Sequence, residues 1–151
     1  MNNGDNKLIR LATLEDMPQL LRMGESFFDA SGYRDITTFN KDDSENLLIN
    51  LINKGWLLTD GESAFLGFLV FPMFMNTDTF IAQELFWWVD EDKRNTGIGI
   101  EILKKAEDIA KEQGAIIMMM LSLKKLDGEK VNKLYQSLGY EEREQSYMRL
   151  L

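Results

Sequence analysis
The residues most suited to chemistry gather around one stretch of the chain. An apolar and aromatic run, Leu85-Phe86-Trp87-Trp88-Val89, leads through a charged segment into Arg94-Asn95-Thr96-Gly97-Ile98-Gly99. An amphipathic helix follows at once, with Ile98, Ile102, Leu103, Ala106, Ile109 and Ala110 at helical spacing. The order strand, glycine loop, helix aims unpaired backbone N–H groups and the positive end of the helix dipole at one spot, which suits a phosphate or pyrophosphate. Gly97 and Gly99 lack a Cβ and let an anion approach the backbone, and Arg94 adds a cation. An ordinary strand-to-helix turn uses glycines as well, so Gly-x-Gly alone is a weak signal. There is no Gly-Lys-Ser/Thr, and the first glycine of GxGxxG is missing, so neither common phosphate loop matches.

The chain has no Cys and no His. Disulfides, a cysteine nucleophile, a Ser-His-Asp triad and imidazole or thiolate metal sites are therefore excluded. Acid–base work falls to Glu, Asp, Tyr, Lys or water. Glu84 stands out because its strand is otherwise apolar, where burial would raise its pKa into a useful range. The net charge of −8 argues against nonspecific binding to nucleic acid or anionic membranes.

The elements that must position these residues read off in order. The 151 residues suit one domain with a real core, expected over 7–151 after a frayed polar tail at 1–6. No apolar run nears the roughly 20 residues needed to span a bilayer, and Met1 to Asn6 is not a signal-peptide core, so a cytoplasmic protein is the default expectation. Leu8 to Ala12 reads as a first strand. Thr13 to Asp16 resembles a capping box ahead of a helix ending at Ser31-Gly32, and Asn40 caps a second helix closed by Gly55. The period then shortens to two. Trp56 to Thr59, Ala64 to Phe71 and Phe80 to Val89 form an antiparallel meander. Ile116 to Leu121 reads as a strand buried on both faces, with Met118, Met119 and Met120 as core or acyl-pocket residues. Asp127 caps a last helix, and Tyr140 to Leu150 is a final strand. The order β-α-α-β-β-β-α-β-α-β predicts an α+β fold: a mixed, mostly antiparallel sheet with helices on both faces.

The loop after the fourth strand, this element order, and Tyr135-Gln136-Ser137-Leu138-Gly139-Tyr140 together resemble the GNAT superfamily of N-acetyltransferases over nearly the whole chain. The resemblance implies acetyl-CoA as cosubstrate, no metal, and transfer of an acetyl group to a primary amine of a small molecule or protein, by direct attack in a ternary complex. It implies that backbone groups of Trp87 and Val89 pair with the pantetheine arm, and that Arg94, Asn95, Thr96, Gly97, Ile98 and Gly99 wrap the pyrophosphate. Tyr135 aligns with the tyrosine that protonates the leaving thiolate; the alternative is a core tyrosine satisfied locally. An attacking amine must lose a proton, and Glu84 is the candidate base. Some members carry a catalytic Glu on this strand, but Gln83 occupies that position here, and one residue of shift reverses the face unless a bulge restores it.

Where many members carry a cofactor-contacting Asn upstream of the tyrosine, this chain has Gly128. Phe27, Phe28 and Tyr33 lie where the family shapes its acceptor pocket. Lys104-Lys105 and Lys124-Lys125 are either partners for the 3′-phosphate or a solvated face. Dimers are common in the family, which allows a homodimer; neither nucleic acid nor membrane is expected as a partner. Two other readings stand beside the enzyme: a non-catalytic acyl-CoA-binding module, and an α/β domain whose loop binds another phosphate ligand or nothing.

Overall fold
The computed structural model describes residues 8–151, and the tail expected at 1–6 lies outside them. The elements are β1 (Arg10–Leu11), α1 (Met17–Ser31), α2 (Lys41–Lys54), β2 (Leu57–Thr59), β3 (Ala64–Met73), β4 (Asn76–Val89), α3 (Ile98–Glu112), β5 (Ala115–Met119) and α4 (Gly128–Ser137). Short 3₁₀ turns occupy Leu14–Asp16, Tyr33–Asp35 and Glu91–Lys93. One sheet runs β1-β2-β3-β4-β5. Its first four strands are antiparallel, and β5 joins β4 in parallel after the α3 crossover. This is the expected mixed α+β architecture.

Two apolar clusters lie on opposite faces of the sheet. Leu20, Met23 and Phe27 of α1 and Leu48 and Leu51 of α2 pack with Leu57, Phe65 and Phe86. Ile102, Leu103, Ala106 and Ala110 of α3 and Tyr135 of α4 pack with Leu58, Leu66, Phe68 and Ala82. Local signals explain the helix ends. Asn40 Oδ1 accepts from the Asp43 N–H at 3.0 Å, and Gly55 closes α2 in the left-handed region at φ 72°. Asp16 Oδ2 accepts from the Thr13 N–H at 2.8 Å, while its two oxygens take a bidentate Arg10 pair at 2.7 and 2.8 Å. That pair ties β1 to the start of α1.

Three local expectations differ from the structure. The final strand does not form: Tyr140 onward joins no ladder. Tyr140 is held against α3, its hydroxyl donating to Glu107 Oε1 at 2.6 Å. Glu141-Glu142-Arg143-Glu144-Gln145 offers a core nothing to bury, and Tyr147, Met148, Leu150 and Leu151 stay exposed. As a result β5 is an edge strand, and Ile116 is 72% exposed where a strand covered on both faces was expected. Asp127 precedes α4 but sits in the left-handed region at φ 53° rather than the extended conformation of a capping residue, and makes no side-chain cap.

Candidate active site
The site begins with a defect in β4. Gly67 of β3 pairs with Phe86, but the next residue, Phe68, pairs with Glu84. Leu85 is therefore an extra residue, a β-bulge that reverses the alternation of β4. Ala82 and Glu84 before it share the α3/α4 face with Trp87 and Val89 after it, whereas Leu85 and Phe86 turn to the α1/α2 face. The bulge is what puts Glu84, rather than the half-buried Gln83, on the face of Tyr135.

Close by, β4 and β5 part. Their ladder ends at Gln83↔Met119, and β4 continues without a neighbour on that side. At the parting, the Leu121 N–H donates to Glu84 Oε2 at 2.9 Å, and the Tyr135 hydroxyl donates to Leu121 O at 2.8 Å. The backbone of one residue, Leu121, thus holds both candidate catalytic side chains, Glu84 through its N–H and Tyr135 through its carbonyl. Glu84 is 4% exposed and Tyr135 8%. Burial pushes the Glu84 carboxyl up from 4.5 to about 7, against the opposing effects of the Leu121 N–H and the Tyr135 hydroxyl. Burial, with the Glu84 charge second, pushes the Tyr135 phenol well above its ordinary value. The single phenolic proton has two acceptors to choose from, Leu121 O and the Glu84 carboxylate. The geometry gives it to Leu121 O, at 2.8 Å. Trp87 stacks on Tyr135 with ring centres 5.9 Å apart, and its Nε1 is buried without a partner.

The glycine loop lies at the far end of β4. Asp90 anchors its start, accepting from Arg22 at 2.8 and 3.2 Å and from Trp88 Nε1 at 2.8 Å. Arg94 folds back: its Nε donates to Val89 O at 2.9 Å and its guanidinium lies 4.8 Å from the Trp88 ring centre. Asn95 takes φ 66°, and Gly97 takes φ 90° as the N-cap of α3. A Cβ at Gly97 would meet nothing within 4 Å, and the first turn of α3 carries no side-chain cap. Gly99 is required for packing instead: a Cβ there would lie 3.3 Å from Trp87 Cζ2 and 3.5 Å from Val89 Cγ2.

Sequence reading missed Lys130, whose Nζ lies 3.3 Å from Asn95 Oδ1 and brings a cation from α4 to the loop. No local signal marks it, since the two residues meet only through the fold. It also could not see that Leu121 is the residue on whose backbone Glu84 and Tyr135 converge. Two of the four paired lysines are engaged elsewhere: Lys105 Nζ donates to Ile9 O at 2.6 Å, and Lys125 pairs with Asp35. Gly128 has a packing reason, because a Cβ there would sit 3.0 Å from Leu123 O. Asn132 is exposed.

The family model for the GNAT acetyltransferases matches residues 14–140. The chain belongs to the GNAT acetyltransferase family. Solved structures agree on the GNAT fold. A transcriptional regulator from Bacillus halodurans C-125 superposes with TM-score 0.72 at 18% identity, covering 95% of this chain and 99% of its own. A predicted acetyltransferase of Clostridium acetobutylicum with acetyl-CoA has TM-score 0.69 at 17% identity, covering 95% of each chain. An aminoglycoside antibiotic 6′-N-acetyltransferase from Acinetobacter haemolyticus has TM-score 0.67 at 14% identity, covering 95% and 97%. Identities this low carry the fold and no more. No curated protein matches the chain in sequence. Among the described residues, no helix is long and apolar enough to cross a membrane.

Proposed function
We propose that this GNAT protein moves an acetyl group from acetyl-CoA to a primary amine by direct attack in a ternary complex. The observation that carries the reading is the parting of β4 from β5. The opening has Glu84 and Tyr135 at one end and the uncapped start of α3 at the other. From Glu84 to the end of β4 is about 17 Å at the usual strand rise of ~3.4 Å per residue, room for an extended chain of amides.

The residues present fit the cosubstrate. Open space at Gly97 and the N–H groups of Gly97, Ile98 and Gly99 suit a pyrophosphate; Arg94, Asn95 and Thr96 complete the loop, with Lys130 beside it. Backbone groups of Trp87 and Val89 pair with pantetheine amides as an added strand would. Arg94 gives up Val89 O when it turns to a phosphate oxygen. Acetyl-CoA supplies an activated acyl thioester. Glu84 accepts the proton of the incoming ammonium, directly or through water, and a pKa about 7 leaves it partly ionised at neutral pH. Tyr135 remains a neutral phenol at working pH and turns its proton from Leu121 O towards the departing sulfur.

The test is calorimetric titration with acetyl-CoA, followed by release of CoA thiol over a panel of amines. Gly97→Glu puts a carboxylate beside the diphosphate, and like-charge contact of this kind costs several kcal/mol. The expected outcome is binding by the wild type, weakened about a hundredfold or more in Gly97→Glu. Absence of acetyl-CoA binding by the folded wild type refutes the proposal. Binding without turnover on any amine would instead support the non-catalytic acyl-CoA module.

A further inference from the structure
The turn that closes α4 brings a second tyrosine onto Tyr135. Gly139 takes the left-handed conformation at φ 89°. Its N–H donates to Gln136 O at 3.1 Å, and the Tyr140 N–H donates to Tyr135 O at 2.9 Å. This pair of bonds is the usual glycine-closed helix end, and an apolar contact between its first and last residues commonly accompanies it. Here that contact joins the rings of Tyr135 and Tyr140, with centres 5.5 Å apart and planes tilted by 45°. Trp87 of β4 stacks on the Tyr135 ring at 5.9 Å.

A phenylalanine at 140 would serve the turn as well. The Tyr140 hydroxyl does something the turn does not require: it donates to Glu107 Oε1 of α3 at 2.6 Å. A bond to a carboxylate is stronger than one between neutral groups. Burial first, then the Glu107 bond, pushes the Tyr140 phenol above its ordinary value, so it keeps its proton and donates throughout the working pH range. Tyr135 is thus held from three directions in sequence: by the Trp87 ring from β4, by Leu121 O after β5, and through Tyr140 by Glu107 of α3.

We infer that Tyr140 and Glu107 act together as positioning residues. Anchored to α3, the Tyr140 ring keeps the Tyr135 ring at the angle from which its hydroxyl can leave Leu121 O for the departing sulfur. The inference rests on the acetyltransferase reading. The bond to Leu121 O must be released before the proton can go to sulfur, and the neighbouring rings then carry the orientation. A general acid works only within hydrogen-bond reach, and small misplacements cost large factors in rate.

Steady-state thiol release by the full chain, with an amine from the panel above, tests this. Tyr140→Phe keeps the ring and should lower kcat about fivefold, with the KM for acetyl-CoA unchanged within about twofold. Glu107→Ala should match that loss, and Glu107→Gln, which keeps an acceptor, should recover most of it. The deciding arm is the Tyr135→Phe background. With no hydroxyl left to position, adding Tyr140→Phe should change kcat by less than about twofold. An equal loss in both backgrounds, or an unchanged kcat in Tyr140→Phe, overturns the inference and leaves the pair a helix brace. The flip rate of the Tyr135 ring, read by NMR without substrate, should rise in Tyr140→Phe, and an unchanged rate overturns the inference too. Failure of the wild type to bind acetyl-CoA overturns the acetyltransferase reading and with it the role given to the pair. Turnover that ignores the variants overturns the inference alone.

Discussion

Replacing Glu84 by Gln keeps the shape of the side chain and the acceptor for the Leu121 N–H but removes the titration. In the folded protein burial holds the wild-type carboxyl at about 7, against 4.5 unperturbed. A carboxyl raised on folding costs nothing well below 4.5, where it is protonated in both states. It becomes destabilising as pH rises, because the unfolded chain ionises first, and the penalty is complete above about 7. The gap of 2.5, from 7 − 4.5, at 1.36 kcal/mol per pH unit corresponds to about 3 kcal/mol. Glu84→Gln should thus match the wild type near pH 4.5 and exceed it by about 3 kcal/mol at pH 8.5. In a domain of this size that is roughly 6–12 °C in Tm. Thermal unfolding of both proteins across this pH range reads the difference directly. The same variant should lose about 10²–10⁴ in kcat with an amine acceptor, and the acid limb of the wild-type rate profile should bend near pH 7. A stability difference that stays constant with pH would refute the claim that Glu84 is a buried titrating carboxyl. An unchanged kcat would refute its role as base.

Tyr135→Phe should lower kcat by tenfold or more while acetyl-CoA affinity holds, and should cost about 1 kcal/mol because Leu121 O loses its donor; an unchanged kcat would make Tyr135 a core residue only. Gly67→Ala should destabilise by about 1–3 kcal/mol, since a Cβ there would lie 2.5 Å from two atoms of the Phe86 ring and 3.1 Å from Leu51 Cδ1. Denaturant unfolding checks it, and a neutral result would mean that the ring gives way at no cost.

The two halves of the site were unequally legible. The loop from Arg94 to Gly99 was readable because all its parts are neighbours in sequence, and strand, glycine turn and helix follow from local propensity alone. Tyr135 was readable through a short motif on one helix. The face of Glu84 was not, because periodicity has no memory of a bulge: one extra residue at Leu85 inverts everything after it. The final strand failed in the opposite way. Tyr140 to Leu150 contains enough apolar residues to read as a strand, but pairing depends on what an edge can bury, and the charged run from Glu141 to Gln145 offers little.

The sequence by itself determined the order of the four helices and first five strands, the helix caps at Asn40 and Gly55, the strand, glycine turn and helix around Gly97, and, through the absence of Cys and His, which residue types are left for acid–base chemistry. Those are matters of spacing and residue type, and each is settled within a few turns of chain. Only the tertiary structure decided that Glu84 and Tyr135 share the backbone of Leu121, that Lys130 reaches the loop, and that Gly24 borders a cavity between α1 and α2. Such contacts arise where distant segments close over one another, and packing, which sets burial and therefore pKa, has no signature in local spacing.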